Sequence, residues 1–195
     1  QLNKENILSF VGSVRRGLSP QKTPVRLVDL GCDDGGWTME IATKLGPCEV
    51  YGVEIVPEQA QKAAKLGIHV ENINLAQKMT LQSEYFDLVH SNQVIEHVPD
   101  IDMFVSEIYR VLKPGGKAIV STENGSSWHN IFAAVMGWQI FSLTNASTLV
   151  AGLGNPLAIH RGGQAFSSTW THKTIFNYLG LIEIFKVKKI KKVEN

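Results

Sequence analysis

Apolar and polar positions change period several times along the first 120 residues, and each change marks an element. Ile7, Leu8, Val11 and Val14 recur at helical spacing before Gly17 to Pro24 break the pattern, which predicts a leading helix and an entry loop. That helix is expected to pack on a sheet or to cover a site. Val25 to Leu30 is a run of mostly branched apolar residues and reads as a buried strand, and Trp37 to Leu45 then has helical character. Glu49 to Ile55 predicts a second strand, Pro57 to Leu66 a helix with proline in its first turn and Gly67 at its end, Ile68 to Leu75 a short third strand and Phe86 to His90 a fourth. Ile101, Phe104, Val105, Ile108 and Leu112 again follow a helical period; LKPGG at Leu112 to Gly116 stops it, and Lys117 to Thr122 begins a fifth strand. Strands alternating with helices imply an α/β fold with parallel strands joined by right-handed crossovers.

Beyond Thr122 the alternation fades. Ile131, Phe132, Val135 and Met136 have helical spacing, and Trp128, Trp138 and Phe141 add aromatic bulk. Core packing is the default reading of this stripe, an apolar lid or pocket the sharper one, and transient membrane contact a third. Thr144 to Ser168 is rich in small and polar residues and reads as a long surface loop, with Arg161 either meeting an anion or solvated. Thr171 to Leu179 is expected as a helix ended by Gly180, and Leu181 to Ile190 as a strand whose lysines 186, 188, 189, 191 and 192 guard an edge rather than bind RNA.

Composition narrows the classes. A chain of 195 residues, 44% apolar and 19% charged, suits one globular domain. The formal charge of +1 gives no strong positive field, so no nucleic-acid partner is expected. Cys32 and Cys48 are too few for a disulfide framework, which fits a reducing, cytoplasmic compartment. No stretch approaches the roughly 20 apolar residues of a membrane span, and the mixed charges of QLNKENILSF do not read as a signal peptide.

The chemistry gathers at strand ends. In VDLGCDDGGWT, Val28 to Thr38, a strand runs into a turn where Gly31, Gly35 and Gly36 let the backbone approach a ligand and aim N–H groups at it. Glu54 lies nineteen positions after Gly35, the distance at which an acid ending the next strand can accept both ribose hydroxyls of a nucleotide. Asn74 and Leu75 sit where a strand end could offer an amide and an apolar face to a base, or form an ordinary turn. The fourth strand leads into Ser91, Asn92, Gln93 and the pair Glu96 and His97. No cluster of His, Asp or Glu has metal-ligand spacing, so no metal is expected.

Together, VDLGCDDGGWT, VYGVEI, FDLVHSNQVIEHV and YRVLKPGGKAIVST resemble, in order and spacing, the motifs of the class I S-adenosylmethionine-dependent methyltransferases of small-molecule type, over about Val25 to Asn124. The resemblance implies a Rossmann-like, doubly wound, mostly parallel sheet of about seven strands with an antiparallel strand near the C-terminus. It implies S-adenosylmethionine as cofactor, with Asp29, Gly31, Cys32 and Gly35 in the loop around the methionine moiety, Glu54 on the ribose, Ile55 beside the adenine with Asn74 and Leu75, and Asn92 under the methionine part. Residues 123–170 become an insertion or lid on the side of the methyl acceptor, a small, lipid-like or sugar-derived molecule. Asp33 stands where the family usually has glycine, and Asn74 where it often has aspartate. Methyl transfer is an in-line displacement that needs a base only when the acceptor must lose a proton, and His97 is the best-placed candidate, ahead of His129 and His160. A methyltransferase-like scaffold without turnover is the alternative, and an NAD(P)-dependent oxidoreductase a more distant one.

Overall fold

The computed structural model describes residues 2–17, 24–164 and 167–193, and the side chains of these except 2, 3, 168 and 188–193. The chain divides into two compact units: Gln1–Asn92 with Asp102–Ser121, and Gln93–Ile101 with Thr122–Asn195.

The first unit holds α1 (Leu2–Gly17), β1 (Val25–Leu30), α2 (Gly36–Leu45), β2 (Cys48–Val53), α3 (Pro57–Lys65), β3 (His69–Glu71), β4 (Phe86–Asn92), all but the first residue of α4 (Ile101–Val111), and β5 (Leu112–Ser121). The sheet order is β3-β2-β1-β4-β5 and every neighbouring pair is parallel. The chain winds outward from β1 through β2 to β3, then returns to place β4 on the other side of β1. That reversal opens a crevice at the carboxyl ends of β1 and β4, the position where open α/β sheets take ligands.

Burial follows from the sequence pattern. Leu27, Val28 and Leu30 of β1 and Phe86, Leu88 and Val89 of β4 are buried, as central parallel strands require. Ile7 and Val11 of α1 join Ile41, Ala42 and Leu45 of α2 in one core cluster with Leu27 and Leu88, so the leading helix packs into the core. LKPGG behaves differently from a simple stop. Leu112 pairs with Phe86 and Lys117 with Leu88, so residues 113–116 bulge opposite Asp87 alone. Pro114 has no N–H for the ladder, Gly115 supplies a φ of +80°, and the Lys113 ammonium donates to Asp87 Oδ2 at 2.7 Å.

Among the described residues the sheet has five strands, not about seven, and no antiparallel member. In the second unit, α5 (Trp128–Val135) and α6 (Tyr178–Val193) accompany two 3₁₀ turns, Phe141–Leu143 and Ser168–Trp170. The strand expected at Leu181 to Ile190 is therefore helical, and the helix expected from Thr171 is an extended segment with an isolated bridge from Phe176 to Asn124. Leu181, Ile182, Ile184 and Phe185 fit a helical period as well as a strand. Asn177 decides the matter: its Oδ1 accepts the Gly180 N–H at 2.8 Å, which makes it the N-cap and puts Gly180 in the first turn instead of at an end. Of the lysine run only Lys186 has a described side chain, and it is exposed; the side chains of 188, 189, 191 and 192 lie outside the described residues.

The aromatic stripe is not core. Within α5 the buried residues are Asn130 and Ala133, whereas Trp128 is 86% and Val135 80% exposed. Asn130 anchors the helix by donating to the Asn124 carbonyl and the Ser142 hydroxyl while its Oδ1 accepts the Ser142 N–H. The following loop is irregular as expected but partly internal: Ala151, Asn155 and Ala158 are buried, and Asn155 donates to the Gln139 carbonyl at 2.8 Å. Residues 18–23 of the entry loop and 165–166 of this one lie outside the described residues. Among the described residues no helix is long and apolar enough to cross a membrane.

Candidate functional site

The turn after β1 is tied to the end of β2 by backbone bonds. Gly31 takes a φ of +81°, and its N–H and that of Cys32 both donate to the Val53 carbonyl, at 2.8 and 3.1 Å. One residue on, the Asp33 N–H donates to Glu54 Oε2 at 2.9 Å, while Glu54 Oε1 accepts the Val56 N–H at 2.8 Å. Both oxygens of a buried carboxylate are thus held by the backbone, one from the glycine turn and one from the start of α3. Each keeps a lone pair for a further donor, the arrangement that a pair of vicinal hydroxyls needs.

Asp33, the departure from the family pattern, sits in the left-handed region at φ +49°. Aspartate tolerates that region better than most residues. Its carboxylate accepts from Gln59 Nε2 of α3 at 2.6 Å and is exposed, so the side chain has its own partner on the surface. Gly35 is needed for packing: at its φ of +82° an added Cβ would stand 2.7 Å from Ile68 Cδ1 and 2.9 Å from the Ala63 Cα. Asp34 Oδ1 accepts the Gly36 N–H at 2.9 Å and starts α2.

Asp29 lies beneath this turn with both oxygens engaged. Oδ2 accepts the Thr38 hydroxyl at 2.5 Å, and Oδ1 is 2.6 Å from Nδ1 of His90. Asp29 and His90 are direct partners in the parallel register of β1 and β4, and both are buried. Sequence reasoning missed His90, since only the strand pairing brings it opposite Asp29. Trp37 meets the His90 ring edge-on at 6.4 Å between centroids. Burial above all, reinforced by Asp29 and Glu54, pushes the Cys32 thiol up to about 12, so it stays protonated and is no nucleophile.

The remaining cofactor candidates ring the same edge. Ile55, directly after Glu54, is 39% exposed, and Leu75 is half-buried. Asn74 spends its Oδ1 on the Ala76 N–H at 2.9 Å, so it does form an ordinary turn. Asn92 ends β4 with its Oδ1 accepting the Ser121 hydroxyl at 2.5 Å. Asp29, Gly31, Cys32, Gly35, Glu54, Ile55, Asn74, Leu75 and Asn92 all belong to the first unit.

His97 belongs to the second. Its Nδ1 lies 3.2 Å from the Thr171 carbonyl and its ring 4.7 Å from that of His172. Burial lowers its pKa from the ordinary value, a shift that Thr171 opposes and His172 and Lys173 reinforce, so the imidazole is neutral at neutral pH. Glu96 beside it is buried, and its backbone carbonyl accepts the N–H groups of Lys173 and Thr174 at 2.7 and 3.3 Å. His172 escaped the sequence reading because it lies far along the chain from His97 with no motif around it. His129 and His160, the other base candidates, are exposed, the former beside Ser127 and Phe141.

The sequence profile of the methyltransferase domain family matches residues 28–120. Over 125 residues the chain is 36% identical to a chloroplastic tocopherol O-methyltransferase of Arabidopsis thaliana, covering 60% of this chain and 35% of that protein. Over 126 residues it is 30% identical to a ubiquinone biosynthesis O-methyltransferase of Chelativorans, covering 62% and 49%. The chain thus spans between about a third and a half of the length of these curated relatives. A crystal structure of an S-adenosylmethionine-dependent methyltransferase from Thermotoga maritima shares the fold, with a TM-score of 0.58 at 19% identity over 92% of this chain and 69% of that one. The glycine turn, the clamped Glu54, the end of β4 and the LKPGG bulge all fall inside the segment that is similar to the methyltransferase domain family.

Proposed function

We propose that the chain transfers a methyl group from S-adenosylmethionine to a hydroxyl on an apolar small molecule. The observation that carries this reading is Glu54, a buried acid at the end of β2 whose two oxygens are fixed by the Asp33 and Val56 N–H groups beside a glycine turn. That acid suits the two ribose hydroxyls, and Ile55 and Leu75 are apolar enough to flank an adenine. The Asn74 carbonyl oxygen is engaged in its turn, which leaves the amide NH₂ as the donor for a base edge. Gly31 and Cys32 would present backbone to the methionine moiety, Asp29 would hold the turn from below, and Asn92 would lie under the same moiety. When bound, S-adenosylmethionine supplies a methyl group activated by its sulfonium.

What remains for the protein is to position the acceptor and take its proton. Holding reactants at near-attack distance is worth effective molarities of about 10⁵ M or more. His97 is the proposed base: its Nδ1 is placed to donate to the Thr171 carbonyl, which leaves Nε2 with the accepting lone pair, and burial keeps the ring neutral. The relatives are named for tocopherol and ubiquinone biosynthesis, which favours a ring hydroxyl on a lipid-like body over a sugar-derived acceptor. The exposed Trp128, Phe132 and Val135 of α5 give apolar surface for such a body. Two free cysteines, Cys32 and Cys48, support a reducing compartment of cytoplasmic type.

Parallel calorimetry with S-adenosylhomocysteine and with NAD tests the reading. Saturable binding of S-adenosylhomocysteine alone, followed by a gain of one methyl group by a phenolic acceptor in mass spectrometry, is the expected result. Binding of NAD without S-adenosylhomocysteine overturns it.

A further inference from the structure

We propose that Glu96, His97 and His172 form a binding site for one divalent transition-metal ion of the zinc type. One ligand atom from each of the three lies within 4.8 Å of the others. A zinc sphere of 2.0–2.1 Å sets ligand atoms about 3.4 Å apart, so closure takes side-chain adjustments of about an ångström.

The surroundings prepare all three groups. The Nδ1 of His97 faces the Thr171 carbonyl at 3.2 Å, and the Nδ1 of His172 faces the Ser142 carbonyl. A carbonyl can only accept, so both rings donate from Nδ1 and turn Nε2 toward the cluster as the atom that can ligate. Histidines that ligate metals are oriented in this way, with the outer nitrogen donating to a backbone carbonyl. Glu96 supplies the independent observation. It is 1% exposed, and neither carboxylate oxygen makes a well-formed hydrogen bond among the described residues; the Thr122 hydroxyl beside it is in the same condition and gives only partial relief. A buried carboxylate left in this state is costly, and a cation removes the cost. The backbone bonds from Lys173 and Thr174 to the Glu96 carbonyl hold the extended segment carrying His172 against the Glu96–His97 turn. Lys173 lies near the cluster, and its ammonium donates to the Thr171 hydroxyl.

Two neutral imidazoles and one carboxylate select zinc, cobalt or a similar ion over magnesium or calcium, which prefer all-oxygen sites. Three protein ligands leave a coordination position open. A water or hydroxyl bound there would lose its proton more readily.

The test uses the full chain prepared without a histidine tag, stripped with chelator and titrated with Co²⁺. A visible d–d absorption that saturates at one equivalent and is displaced by Zn²⁺ is expected. Glu96→Gln and His172→Gln should each weaken Co²⁺ binding by more than the roughly 10–100-fold that loss of a supporting partner costs. His160→Gln should leave it unchanged. Calorimetry with S-adenosylhomocysteine on the same variants reports whether they fold, separately from metal. Absence of a saturable Co²⁺ spectrum in the unmodified chain overturns the proposal, as does a spectrum that survives in folded Glu96→Gln and His172→Gln.

Discussion

At the scale of single residues, the site turns on how Asp33 and Glu54 share one hydrogen bond. The bond runs from the backbone of Asp33 to the carboxylate of Glu54, so it does not depend on which side chain stands at position 33. The Asp33 carboxylate is engaged by Gln59 instead. Asp33→Gly would relieve a left-handed φ worth about 1 kcal/mol, but it also loses the Gln59 bond and frees the unfolded chain, effects of similar size. Calorimetry should therefore find S-adenosylhomocysteine affinity within about 3-fold of the unmodified protein, because this substitution leaves the Glu54 clamp in place. Glu54→Gln touches the clamp directly, since an amide nitrogen replaces one of two acceptors. Its affinity should fall by roughly 10–100-fold, the value of one hydrogen bond to a charged group. Equal effects from the two variants would remove Glu54 from its central role.

Among the elements, the turn after β1 doubles as the joint between α2, α3 and the sheet, and two glycines separate its two demands. Gly35 and Gly67 have nearly the same positive φ, +82° and +87°, but an added Cβ meets Ile68 and the Ala63 backbone at the first and nothing within 4 Å at the second. Gly67→Ala should cost about 1 kcal/mol for the backbone alone. Gly35→Ala should cost a further 1–3 kcal/mol or so for overpacking. Urea denaturation reads the difference as a lower midpoint at unchanged slope, and equal midpoints would contradict the close approach. Elements of this unit were legible because Val25 to Leu30, Phe86 to His90 and the 101–112 stripe carry one period each. Residues 181–185 carry both, and the sequence could not show that Asn177 would spend its side chain as a cap. LKPGG was legible as an interruption but not as a bulge, since a bulge is defined only by the strand opposite.

For the molecule as a whole, what the sequence revealed and what it concealed follow the two compact units. Every cofactor candidate named from motifs lies in Gln1–Asn92, where strand, turn and acid are close in sequence and the fold keeps their order. His90 opposite Asp29 and His172 beside His97 arise from pairings across long stretches of chain, which no local spacing encodes. The same division predicts how ligands act. A ligand at 100 times its dissociation constant stabilises the state that binds it by about 2.7 kcal/mol. With S-adenosylhomocysteine at that level, slowed amide exchange should concentrate at 29–38 and 53–56, the turn and the Glu54 clamp. Zn²⁺ should instead slow exchange at 96–97 and 171–174, where backbone bonds join the two metal-bearing segments. Hydrogen-exchange mass spectrometry with each ligand alone resolves the two patterns. If S-adenosylhomocysteine protects 171–174 and leaves 29–38 unchanged, the cofactor does not occupy the glycine turn, and the assignment of Glu54 to the ribose falls with it.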